Sequence, residues 1–271
     1  MINKKEYLKQ LEYLNMYYGQ EFKENQGTEY ILSMINEFIL NGNLIDFGSG
    51  SNIYFWLLAT NRISQVTCVD ISEEAFDINR EIQKGKIFPK SYIYPLKKYK
   101  NSLKKTLNIP IKYIIANVFK DDIKLEIYDN VTQFGLLGLS VNIDTYIENF
   151  LKLWSFLKKN GVFLGANWVF SKKYSIEKGY TNNYLDEDLI VKISEKTCSS
   201  ILYLAKIKIY NDPNYDFVLI YCMKKIKVAL VGIGGMGNVH FNCYKKIKNA
   251  EMLDAKNITQ VSKKAHIVRI S

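Results

Sequence analysis

The stretch Asp46-Phe47-Gly48-Ser49-Gly50-Ser51-Asn52, with Asp70 about twenty residues on, holds the residues whose types and spacing point most directly to chemistry. Gly48 and Gly50 allow a tight backbone turn and a close approach to a ligand, where a side chain would clash. A glycine turn that runs into a helix start offers backbone N–H groups to a carboxylate or a phosphate. Asp70 closes the next apolar run, where its carboxylate can accept hydrogen bonds from both hydroxyls of a ribose.

Two ligands suit such a turn. A nicotinamide or flavin dinucleotide asks for G-x-G-x-x-G, and the third glycine position here is Ile53. S-adenosylmethionine has no phosphate and tolerates Ile53, so the spacing favours it. A tight turn without a ligand is the remaining alternative. The only histidines, His240 and His266, lie near the C-terminus. The first 225 residues therefore exclude Ser-His or Cys-His nucleophilic catalysis and His-ligated metal chemistry. Cys68, Cys198, Cys222 and Cys243 lie far apart without the close pairing of a zinc or redox site, so free thiols and no metal are expected. The chemistry must run on carboxylates, tyrosines or positioning alone.

The elements that position these residues follow from periodicity. Apolar residues at helical spacing predict helices over 4–18, 28–40, 53–59, 145–158 and 186–198, and one from Ser72, a helix N-cap, to about Gln83. Apolar runs predict strands over 44–48, 65–69, 111–118, 130–137, 162–168, 201–210 and 216–222. Lys158-Lys159-Asn160-Gly161 reads as a helix stop, and Asn211-Asp212-Pro213-Asn214 as a hairpin turn. The order strand, glycine turn, helix, strand, acid, helix is the doubly wound α/β plan, with a ligand at the carboxyl ends of the strands.

Three stretches resemble the nicotinamide, phenylethanolamine and indolethylamine N-methyltransferases. They are Tyr13-Leu14-Asn15-Met16-Tyr17-Tyr18, the run from Leu44 to Tyr54, and Thr145-Tyr146 onward through Phe156 to Leu164. The resemblance spans roughly residues 5–223. It implies a class I methyltransferase: a Rossmann-like, mostly parallel seven-stranded sheet closed by an antiparallel hairpin. It implies further that Tyr13 and Tyr18 touch the carboxylate end of S-adenosylmethionine, that Gly48, Ser49 and Gly50 line its methionine portion, and that Asn52 and Tyr54 lie close by. Asp70 would hold the ribose, Ile71 would flank the adenine, and Asn117-Val118 would meet the adenine edge, where the family more often has Asp-Val. The family also has Asn five residues after the ribose acid, where this chain has Ala75. On the acceptor side the matching stretch is Ala166-Asn167-Trp168, with Asn167 where an acid is expected; Asn167, Trp168 and Tyr174 are the possible substrate contacts. The activity implied is methyl transfer to a small molecule, with an amine-type nitrogen as acceptor, by direct in-line displacement that needs alignment more than a nucleophile.

The net charge of +10 invites a nucleic-acid reading, but residues 226–271 hold eight basic and two acidic side chains, leaving +4 for the first 225. The cluster from Lys97 to Lys105 fits a solvated helix face. No apolar run approaches a membrane span and no signal-peptide core is present. The expectation is a cytoplasmic monomer that binds a small-molecule methyl acceptor, with neither nucleic acid nor membrane as partner. The tail adds a second motif: Gly232, Gly234 and Gly237 form a full G-x-G-x-x-G after an apolar run. It resembles the first unit of the glucose-fructose and inositol dehydrogenase-like oxidoreductases, yet only 34 residues follow. Residues 1–223 are therefore expected to form the methyltransferase domain and 224–271 a truncated Rossmann-like remnant. The alternatives are an NAD(P)-dependent oxidoreductase fragment and a non-catalytic methyltransferase relic.

Overall fold

Strands that are apolar on both faces need helices on both sides of their sheet. The computed structural model describes residues 3–24, 26–59, 61–210 and 212–226. Its strands are β1 (Gly42–Phe47), β2 (Ile63–Asp70), β3 (Ile111–Ile115), β4 (Tyr128–Phe134), β5 (Leu157–Phe170), β6 (Ser199–Lys208) and β7 (Tyr215–Lys225). They form one sheet in the order β3-β2-β1-β4-β5-β7-β6. The first five run parallel, and β7 pairs antiparallel with both β5 and β6. The strand order reverses between β1 and β4, which opens a crevice beyond their carboxyl ends.

The helices are α1 (Lys4–Tyr18), α2 (Thr28–Phe38), α3 (Glu73–Gln83), α4 (Ile93–Lys98), α5 (Leu103–Leu107), α6 (Ile143–Trp154), α7 (Lys172–Lys178) and α8 (Glu187–Thr197). One core layer packs α2 and α3 against the sheet through Ile31, Ile35, Phe76 and Ile82. The other packs α6 and α8 through Tyr146, Phe150, Leu189 and Ile193. Caps set the starts: the Ser72 side chain accepts from the Ala75 N–H, that of Asn142 from Thr145 and that of Asp186 from Leu189. The lysines from Lys97 to Lys105 are exposed on and around α4 and α5, and Cys68 and Cys222 are buried in strands.

Two expected elements differ. The helix over 53–59 is only a 3₁₀ turn at Tyr54–Trp56. Its Ile53 and Tyr54 N–H groups donate to the Tyr92 hydroxyl and to Asn52 Oδ1, so side chains replace the continuing helix. The expected stop at Lys158–Gly161 lies inside β5, because α6 already ends at Trp154. There the register slips between Tyr128 and Asn130, and Asn160 takes a left-handed φ of 63°. This is a bulge rather than a helix end. β7 continues to Lys225, so the expected boundary at residue 223 falls within a strand. The tail motif with Gly232, Gly234 and Gly237, and His240, Cys243 and His266, lie outside the described residues. Among the described residues no helix is long and apolar enough to cross a membrane.

Candidate active site

The turn after β1 runs through Gly48 (φ 69°) and Gly50 (φ 58°), both left-handed. At Gly48 the need for glycine is also steric, since an added Cβ would stand 2.9 Å from the Leu136 Cβ. At Gly50 a Cβ would project into open space, with only Asn52 Nδ2 near it, at 3.9 Å. The turn is therefore a cradle that a side chain would begin to fill.

Asp70 holds this cradle in place. Its Oδ2 accepts from the Gly50 N–H (2.9 Å) and its Oδ1 from the Ser72 N–H (3.1 Å), which ties the glycine turn to the start of α3. A carboxylate has about four lone-pair sites, so acceptor capacity remains for a ligand hydroxyl. Asn79 of α3 donates its Nδ2 to the Gly50 carbonyl at 2.9 Å. Sequence reasoning missed this residue: it looked for a partner at Ala75, which is buried with its N–H on the Ser72 cap. Ser51 Oγ donates to the Gln10 carbonyl and fixes α1 over the turn.

Beneath the turn, the Asp46 carboxyl is 5% exposed. It accepts from Thr132 Oγ1 at 2.7 Å and from Trp56 Nε1 at 3.3 Å. Burial pushes its pKa up to about 7, against the pull of those two hydrogen bonds.

Two adjoining cavities open here, of about 580 and about 370 Å³, within the range of small-molecule sites. Tyr13, Tyr18, Gly48, Asp70, Ile71 and Trp168 belong to both walls. The smaller cavity lies over Ser49, Gly50 and Asn52. The larger extends from Asn117 and Val118 to Tyr17, Gln26, Asp212 and Tyr215. The structure thus brings together eleven of the expected residues: Tyr13, Tyr18, Gly48, Ser49, Gly50, Asn52, Asp70, Ile71, Asn117, Val118 and Trp168. Asn117 keeps its Oδ1 in a local turn that accepts from the Phe119 N–H.

Three expected residues stand elsewhere. Tyr54 is 1% exposed and lies behind Tyr18, ring centroids 5.1 Å apart, without reaching either wall. Asn167 is fully buried on the opposite face of β5 from Trp168, because side chains alternate along a strand. Its Oδ1 accepts from Gln133 Nε2 (3.0 Å) and the Tyr146 hydroxyl (3.3 Å), so it serves the core under α6 and not a substrate. Tyr174 of α7 packs behind Tyr215, at 5.5 Å, outside the cavity lining.

The larger cavity is also lined by residues the sequence does not single out: Phe55, Phe134, Asp212 and Tyr215. Asp212 serves the turn that its sequence predicts, its Oδ1 accepting from the Asn214 N–H at 2.9 Å.

No family model matches the chain, and no curated protein is similar to it in sequence. Solved structures do match its fold. Magnesium protoporphyrin IX methyltransferase from Synechocystis, with bound SAM, aligns at a TM-score of 0.52 and 12% identity, over 79% of this chain and 90% of that one. A SAM-dependent methyltransferase from Methanosarcina mazei aligns at 0.52 and 11% identity, over 76% and 99%. The N-methyltransferase NodS from Bradyrhizobium japonicum, in complex with S-adenosyl-L-homocysteine, aligns at 0.50 and 10% identity, over 80% and 98%. The fold is that of class I methyltransferases. In this fold the cradle of Gly48–Gly50 and the carboxylate of Asp70 stand at the carboxyl ends of β1 and β2, beside the switch point between β1 and β4.

Proposed function

We propose that the chain is an S-adenosylmethionine-dependent methyltransferase acting on a small molecule with an amine-type nitrogen. One observation carries the cofactor part: the glycine turn is held open by the Gly50 N–H bond to Asp70, and the same carboxylate faces the larger cavity. The neighbours solved with SAM or S-adenosyl-L-homocysteine support the same ligand here. Asp70 would hold the ribose hydroxyls, the Gly48–Gly50 turn the methionine portion, and Ile71 with Val118 the adenine.

When bound, the cofactor supplies a methyl carbon already activated by its sulfonium. The chain's own part is alignment and exclusion of water. Phe55, Phe134 and Trp168 line the junction of the two cavities with apolar surface, and Tyr13 and Tyr18 of α1 cover it. Alignment in a dry site accounts for large rate gains without a side-chain nucleophile, which suits a wall with no histidine among the described residues. The acceptor nitrogen sheds its proton to water before it attacks.

Methyl-labelled cofactor offered with a panel of small amines, amides and thiols tests the reading. Label on an amine nitrogen is expected. Cofactor binding with no transfer to any acceptor would point to a non-catalytic relic, and transfer only to thiols would remove the nitrogen assignment.

A further inference from the structure

Charge is unevenly spread along the chain. Residues 84–112 hold nine lysines and no aspartate or glutamate, while the other 196 residues up to 225 hold 20 basic and 25 acidic side chains. All nine lysines are exposed, and none makes an ion pair among the described residues. The fold gathers them on the flank of the sheet whose edge strand is β3. Lys84 and Lys86 follow α3, where Gln83 Nε2 donates to the Ile109 carbonyl at 3.1 Å, just before β3 and its Lys112. Lys105 Nζ donates to Asn61 Oδ1 (3.2 Å) and Asn61 Nδ2 to Asn101 Oδ1 (2.9 Å). These bonds tie α5 to the end of α4, and so to Lys97, Lys98 and Lys100. The carboxylates just upstream on α3, Asp77 and Glu81, are engaged by Arg80 and by the Tyr7 hydroxyl.

Two large apolar side chains stand among these lysines. Phe88 is 40% exposed between Lys86 and Lys90, and Ile93 is 41% exposed one helical turn before Lys97. Phe88 is braced by Tyr92, ring centroids 6.0 Å apart. The neighbouring rings are already covered: Tyr94 stacks on Phe22 at 3.9 Å, and the Lys98 ammonium lies over both Tyr94 and Tyr99. A single-stranded nucleic acid needs a series of free ring faces on which successive bases stack, and Phe88 is the one exposed ring here. An anionic bilayer surface asks for something else: several lysines at headgroup level, and one or two apolar side chains that dip past them. This flank has both.

We propose that this flank docks the protein on an anionic lipid surface, with the lysines from Lys84 to Lys105 at the headgroups and Phe88 and Ile93 inserted below them. A run such as Lys97 to Lys105 taken alone is a solvated helix face. The lack of carboxylates over the whole stretch and the two exposed apolar side chains distinguish this one. None of the nine lysines lines either cavity of the candidate active site, so docking and catalysis occupy separate surfaces. Docking of this kind does not depend on the methyltransferase reading, and it departs from the expected absence of a membrane partner.

The test is co-sedimentation of the full chain with phosphatidylcholine vesicles, with and without phosphatidylglycerol. Binding is expected to the anionic vesicles only, and it should weaken as salt is raised. Each lysine near such a surface strengthens binding about fivefold, so Lys86→Gln, Lys90→Gln, Lys97→Gln and Lys104→Gln combined should weaken it roughly a hundredfold or more. Phe88→Ala, which keeps every charge, should weaken it severalfold. All five positions are exposed, and circular dichroism is expected to show both variants folded like the parent. No binding to anionic vesicles, or equal binding to both kinds, would overturn the proposal. So would anionic binding that survives the four lysine substitutions, which would place the anchor in the eight basic residues of 226–271. Binding unchanged by Phe88→Ala, or an RNA oligonucleotide that displaces the protein from the vesicles, would overturn it as well.

Discussion

We propose two tasks for Asp70, holding the glycine turn and holding a ligand hydroxyl, and substitution by alanine removes both. Its oxygens keep the Gly50 and Ser72 N–H groups in place, and its side chain lines both cavities. Charge-assisted hydrogen bonds contribute about 1.5–3 kcal/mol each, so Asp70→Ala is expected to weaken S-adenosylmethionine binding by at least about tenfold in calorimetry. Asp46 gives a different signal. Its pKa is raised from 3.8 to about 7. The native state therefore holds its proton more tightly than the unfolded chain does. The stability this contributes is complete below about pH 4 and is lost as pH rises through about 7. Across that window the loss is about 4 kcal/mol. Asp46→Asn, which can still accept from Trp56 and meet Thr132, should remove that slope. Denaturant melts of both proteins at pH 4.5 and 8 would show the gap between them narrowing or reversing toward the higher pH. At this scale the left-handed glycines and the place of Asp70 beside them were legible in the sequence, because backbone freedom follows from residue type and spacing; the bonds that Asp70 accepts from Gly50 and Ser72 were not. Asn79 and Asp212 were not: one donates to a loop 29 residues away, and the other looks like ordinary turn chemistry.

At the scale of elements, strand alternation decides which side chains reach the site. Trp168 faces the cavity, so Asn167 must face α6, where Gln133, Tyr146 and Tyr221 form a buried polar network with it. Removing one buried partner leaves others unsatisfied at a cost of about 1–3 kcal/mol. Asn167→Ala should therefore lower the melting temperature and leave the KM for the acceptor unchanged; a selective rise in KM would return Asn167 to the substrate site. The order and type of most elements were readable from apolar periodicity and from caps such as Ser72 and Asp186. The helix expected over 53–59 was not, because its fate depends on Tyr92, a residue 39 positions from Ile53 whose hydroxyl takes the Ile53 N–H. The bulge in β5 was equally hidden, since Lys158-Lys159-Asn160-Gly161 has the local chemistry of a helix stop. What makes it a bulge is the close approach of Asp129, whose carbonyl oxygen would lie 2.8 Å from a Cβ at Gly161 and whose carboxylate pairs with Lys158.

At the scale of the whole molecule, the site and the end of β7 lie at opposite ends of the sheet. Tyr215 pairs with Phe170 beside the cavity, while Lys224 pairs with Val162 at the far end of β5. A chain ending at Ile226 is therefore expected to fold and to bind the cofactor with the affinity of the full chain, as circular dichroism and calorimetry would show. The same layout gives the central measurement: titration of the intact protein with S-adenosylmethionine, S-adenosyl-L-homocysteine and NADH in turn. The cradle at Gly48–Gly50 and the carboxylate of Asp70 predict saturable heat with both sulfur compounds and none with NADH. Heat with NADH and none with either sulfur compound would contradict the account.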